Sequence, residues 1–88
     1  MQEKELAIEN KAGLHARPAA LFVQTANKFE SQIIVARGDR EVNGKSIMGI
    51  MMLAAGKGTR IRIKVEGSDE EEAIRKLEEL VLDKFGEE

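Results

Sequence analysis

Between Thr59 and Glu66 the chain reads Thr-Arg-Ile-Arg-Ile-Lys-Val-Glu, with Ile61, Ile63 and Val65 alternating with charged residues. A helix turns about 100° per residue and would scatter those three side chains around its circumference. A strand places all three on one side and Arg60, Arg62, Lys64 and Glu66 on the other. The segment therefore commits the fold to a sheet with one wet face and one buried face. Something must cover the buried one.

Two helical patterns can supply that cover. Ala19, Phe22, Val23, Ala26 and Phe29 recur at helical spacing and predict a first helix over about 16–28. Ala73, Ile74, Leu77, Leu80 and Val81 mark the buried stripe of a long last helix, which Gly86 would end. Ser68 and Glu71, preceded by Gly67, have the spacing of a capping box at its start. The acidic run Asp69-Glu70-Glu71-Glu72 suits the positive end of that helix dipole and needs no further role. A short helical segment is expected over 47–53.

The other strands are shorter. Residues 2–9 end in the alternation Glu5-Leu6-Ala7-Ile8-Glu9, and residues 32–37 form a β-branched run. Gly38-Asp39 makes a tight turn into Arg40-Glu41-Val42. The order β-α-β-β-α-β-α predicts an α+β fold, an antiparallel sheet covered on one face by helices. Pattern alone leaves a ferredoxin-like split arrangement and other α+β sheets open. The 88 residues (1–88) contain no repeat or linker and make a single domain.

Composition narrows the function. With 14 basic and 16 acidic residues the net charge is −2, and there is no Tyr or Trp, so nothing favours nucleic acid. No apolar run approaches the ~20 residues of a membrane span, and no signal peptide opens the chain, so a cytoplasmic protein is expected. Without cysteine, and with a single histidine, neither a disulfide framework nor a metal site is expected.

That one histidine is well placed. In Gly13-Leu14-His15-Ala16-Arg17-Pro18-Ala19-Ala20, His15 and Arg17 precede the only proline, where a glycine-containing loop meets the first helical pattern. Proline is tolerated in a first helical turn because its missing N–H has no intrahelical partner there. Unpaired N–H groups and the dipole at such a start favour an anion, and Arg17 adds a forked cation suited to phosphate oxygens. A neutral imidazole is a nucleophile. Together these make a sensible phosphoryl acceptor, although a lone histidine can equally be a surface residue or a helix cap.

This run, with Asn43-Gly44-Lys45-Ser46-Ile47-Met48-Gly49-Ile50-Met51 downstream, resembles the HPr family, the histidine-containing phosphocarriers of the bacterial phosphoenolpyruvate-dependent sugar phosphotransferase system. The resemblance spans essentially the whole chain. It implies an open-faced sandwich, four antiparallel strands covered on one face by three helices. It also implies a carrier without turnover or cofactor. Enzyme I would phosphorylate Nδ1 of His15, Arg17 would hold the phosphoryl oxygens, and an enzyme IIA domain would receive the group.

The second motif has its own readings. Gly44-Lys45-Ser46 is not a P-loop, because Asp39 stands where the first glycine is required. As a bare serine, Ser46 reads as the cap of the short helix. The resemblance is to the Gram-positive type of HPr, in which a serine followed by Ile-Met-Gly is the target of a serine kinase/phosphorylase and the phosphorylated form serves a LacI-type catabolite repressor. Ile47, Met48, Ile50, Met51, Met52 and Leu53 are too apolar for a short helix to bury on every side, and methionines suit an adaptable docking surface. By resemblance that surface comprises Leu14, Ala20, Leu21, Gln24, Ile47, Met48 and Met51. Leu21 lies off the buried stripe, which agrees with this. The expected state is a monomer. The rival reading is a regulatory paralogue acting as a binding module. One such branch replaces the histidine, and His15 is present here.

Overall fold

The alternating segment becomes β4 (Arg60–Glu66), an interior strand with an antiparallel neighbour on each side. β1 (Gln2–Ala7) flanks it on one edge. On the other lies β2 (Gln32–Arg37), followed outward by β3 (Arg40–Asn43), giving the order β1-β4-β2-β3. In this computed structural model, which describes residues 1–87, α1 (Ala16–Ala26), α2 (Ile47–Met52) and α3 (Glu70–Leu82) cover one face of the sheet. This is the expected open-faced arrangement.

Register explains the two faces. Leu6 pairs with Ile61, and Ile33 and Val35 pair with Val65 and Ile63, so their side chains meet Phe22, Val23, Leu77 and Val81 in one core. The opposite face is charged and carries cross-strand pairs. Arg60 meets Glu5 at 3.5 Å, Arg62 meets Glu3 at 3.9 Å, and Lys64 meets Glu41 at 2.7 Å. Lys64 donates to the Glu41 carboxylate and holds its pKa below the usual glutamate value.

Several boundaries differ from the sequence reading for local reasons. β1 ends at Ala7, yet Ile8 N–H still bonds the Thr59 carbonyl at 2.8 Å. α1 stops at Ala26, leaving Phe29 half-buried in the following turn. α3 stops at Leu82, four positions short of Gly86, because Lys84 and Phe85 take positive φ and swing Phe85 into the core. Leu80 is half-buried at the edge of its stripe.

The capping box expected at Ser68 and Glu71 does not form. Ser68 is exposed, and the N-cap of α3 is Asp69, whose carboxylate turns outward to a neighbouring loop. It accepts from Glu30 N–H at 2.9 Å, Ser31 N–H at 3.0 Å and the Ser31 hydroxyl. These bonds, that from the Ser31 hydroxyl first, lower the Asp69 pKa. Glu70, not Glu71, reaches back, accepting from Gly67 N–H at 3.1 Å.

Candidate functional site

The loop before α1 is closed by short bonds that fix where His15 emerges. Asn10 donates its side-chain N–H to the Gly13 carbonyl at 2.8 Å, while Gly13 N–H returns to the Asn10 carbonyl at 3.1 Å. Gly13 turns the chain at φ +71°, with the Ala55 carbonyl 2.5 Å from where a Cβ would stand, so only glycine fits. Leu14 N–H then bonds the Ala55 carbonyl at 2.8 Å. This draws Leu14 into the core, where it is 6% exposed. Leu14 is thus a core residue, which corrects its placement on an open docking face.

His15 is the N-cap residue of α1. Its backbone carbonyl accepts the first helical bond, from Ala19 N–H at 3.0 Å, while its side chain caps nothing. The buried Pro18 occupies the first turn and contributes no donor. Among the described residues the Ala16 and Arg17 N–H groups have no hydrogen-bond partner, and no acidic residue sits in the first turn. The Arg17 side chain is exposed and forms no bond or ion pair with the described residues. The imidazole is 41% exposed beside a hollow lined by Ala12, Leu14, Ala54, Ala55 and Gly56.

Two residues that the sequence did not single out complete this corner. Glu87 approaches from the far end of the chain. Its Oε2 lies 3.1 Å from His15 Nε2, and its Oε1 accepts from the Asn10 side-chain N–H at 3.1 Å. His15 Nδ1 has no partner among the described residues. No local motif could have revealed Glu87, because it stands 72 positions from His15 and arrives only through the inward turn at Phe85.

Ser46 is the N-cap of α2, and its Oγ accepts from Gly49 N–H at 3.0 Å. α2 packs beside α1 with Ile50 buried; Ile47, Met48 and Met51 are exposed, Met48 at 72%. Gln24 is exposed, and Ala20 and Leu21 are half-buried on the adjoining helix. Met52, which the sequence left unassigned, is exposed too. Among the described residues no group of side chains could hold a metal ion, and no helix is long and apolar enough to cross a membrane.

A four-stranded sheet under three helices, with one histidine heading the first helix, defines a small phosphocarrier-type domain, and the comparisons agree. Residues 2–83 match the family described as PTS HPr component, phosphorylation site. The chain is 52% identical to the phosphocarrier protein HPr of Neisseria meningitidis serogroup A over 99% of this chain and 98% of that one. The crystal structure of HPr-C-His from Thermoanaerobacter tengcongensis superposes with a TM-score of 0.97 at 58% identity, covering 100% and 99% of the two chains. The Bacillus subtilis protein Crh, solved as a swapped dimer, gives 0.77 at 44% identity over 96% and 97%. The chain belongs to the HPr family of phosphotransferase-system phosphocarriers.

Proposed function

We propose that this chain accepts a phosphoryl group from enzyme I, ultimately from phosphoenolpyruvate, on Nδ1 of His15 and delivers it to enzyme IIA domains in the cytoplasm. The observation that carries this reading is a half-exposed imidazole with Nδ1 unpartnered, at a helix start whose Ala16 and Arg17 N–H groups are also unpartnered. The Nδ1 lone pair attacks phosphorus, while the N–H groups and the Arg17 guanidinium neutralise the phosphoryl oxygens as they pass from donor to acceptor. The work is electrostatic and positional, and the protein functions as a monomeric carrier.

Ala20, Leu21, Gln24, Ile47, Met48 and Met51 form the docking face in this reading, with Met52 at its margin. Ser46, at the start of α2, is the regulatory position for a serine kinase/phosphorylase. A phosphate there sets charge beside apolar Ile47, Met48 and Met51. A partner burying that face, such as enzyme I, then binds less well, whereas a partner presenting arginine, such as a LacI-type repressor, binds better. A second reading, a mainly regulatory binding module, draws support from 52% identity to the HPr-like protein Crh of Halalkalibacterium halodurans over 88% of this chain and 92% of that one.

The test is incubation with enzyme I and phosphoenolpyruvate. The wild type is expected to gain one acid-labile phosphate, and His15→Ala none, with its melting temperature preserved. Acid-labile labelling of His15→Ala overturns the assignment.

A further inference from the structure

Resting on the phosphoacceptor reading of His15, we infer that Glu87, braced by Asn10, is a positioning residue that fixes the imidazole proton on Nε2 and reserves Nδ1 for the phosphoryl group. Glu87 splits its two oxygens between two donors, His15 Nε2 and Asn10 Nδ2, each at 3.1 Å. Asn10 is fully buried, and its second N–H is committed to the Gly13 carbonyl. Its orientation is therefore fixed: a flipped amide would set its oxygen against two acceptors. The brace is rooted in the interior, unlike an ordinary surface ion pair between two mobile side chains.

A neutral imidazole carries one proton, and a carboxylate facing Nε2 accepts that proton's hydrogen bond only if it sits there. The lone pair is then on Nδ1. When Nδ1 attacks, an N–P bond forms and the donor's bond to phosphorus breaks, its electron pair leaving with the donor. Nε2 keeps its proton, so the ring becomes cationic, and the Glu87 carboxylate offsets that charge. On delivery the N–P electrons return to Nδ1 and the ring departs as neutral imidazole. Neither step moves a proton. The hollow beside the ring, from Ala12, Leu14, Ala54, Ala55 and Gly56, carries no charged side chain. Glu87 and Arg17 thus divide the task, one facing the far nitrogen and the other the phosphoryl oxygens.

The experiment uses the full chain labelled with ¹⁵N, as wild type, Glu87→Gln and Glu87→Ala. Ring ¹⁵N spectra of unphosphorylated protein with neutral His15 read the tautomer, and rapid quench reads transfer from enzyme I and to an enzyme IIA domain. The wild type is expected to show the Nε2–H tautomer alone and Glu87→Ala a mixture of the two. Glu87→Gln, which loses the charge and keeps one acceptor oxygen for two donors, should hold the tautomer only in part. Both variants should slow transfer in each direction by roughly three- to tenfold, the scale of one charge-assisted hydrogen bond in a partly exposed site. A wild-type tautomer or a wild-type rate in Glu87→Ala, with His15 still accepting phosphate, overturns the role of Glu87 and leaves the carrier reading standing. Absence of phosphate on wild-type His15 overturns the carrier reading itself.

Discussion

The starts of α1 and α3 solve the same problem in opposite ways. α3 begins behind Glu70, Glu71 and Glu72, with Glu70 folded back onto Gly67 N–H and Asp69 tied to the loop at Glu30 and Ser31. Its dipole is answered by its own residues. α1 begins with no acidic residue, no side-chain cap, a proline and an exposed arginine. Its first donors, the Ala16 and Arg17 N–H groups, have no partner among the described residues. Helix ends are normally satisfied locally, so the open end beside His15 is the one consistent with the proposed phosphoacceptor role, whereas the end of α3 is tied into a neighbouring loop.

The sharpest way to break this contrast is to close the open end. Ala16→Glu places a carboxylate on the first turn of α1, where the dipole should stabilise the fold by about 0.3–1 kcal/mol at low salt. The same charge competes with the phosphoryl group, so phosphate acceptance should drop sharply while the melting temperature holds or rises. Arg17→Ala should slow transfer in both directions, and lysine should rescue it only in part, because it lacks the bidentate fork. Rapid-quench transfer beside thermal melting separates the two effects, and a wild-type rate in Arg17→Ala removes the clamp.

Opening the closed end should do the reverse. Asp69→Asn is expected to lower the melting temperature and leave transfer unchanged. Because Asp69 has a folded-state pKa below its ordinary 3.8, its contribution is complete above that value and is lost as pH falls through the lower folded-state pKa. Melting curves across that acid window should therefore decline more steeply for the wild type than for Asp69→Asn. Equal slopes would show that the Asp69 bonds to Glu30 and Ser31 do not matter.

α2 differs from both, because its N-cap side chain accepts a bond from its own first turn. Ser46→Ala removes the acceptor for Gly49 N–H and should cost about 1 kcal/mol in urea unfolding, within the usual range for a lost N-cap. A value near zero would mean that the buried Ile50, rather than the cap, holds α2 in place.

Legibility followed the range of the interactions. The alternation of β4 and the stripes of α1 and α3 are nearest-neighbour patterns, and the structure follows them closely. The capping box read at Ser68 and Glu71 does not form, and the carboxylate of Asp69, the N-cap residue, is tied instead to Ser31, 38 positions away, a competition that no local motif contains. Resemblance alone puts Leu14 on the docking face, and the bond of its N–H to the Ala55 carbonyl goes with a side chain turned into the core. The end of α3 was misplaced because the core draws in Phe85 at the expense of helical geometry. At the site, His15 and Arg17 stood out as adjacent chemistry. Asn10 and Glu87 did not, since one reads as a turn residue and the other as terminal acid.

The inward turn at Phe85 also sets an order of events during synthesis. The ribosome makes His15 72 positions before Glu87, and in the folded chain the turn that buries Phe85 carries Glu87 back to the ring. A chain still being translated carries the histidine with neither its carboxylate nor the finished last helix beneath it. The corner around His15 is complete only once residue 87 has been made, so a product truncated before it would carry the imidazole without its carboxylate partner.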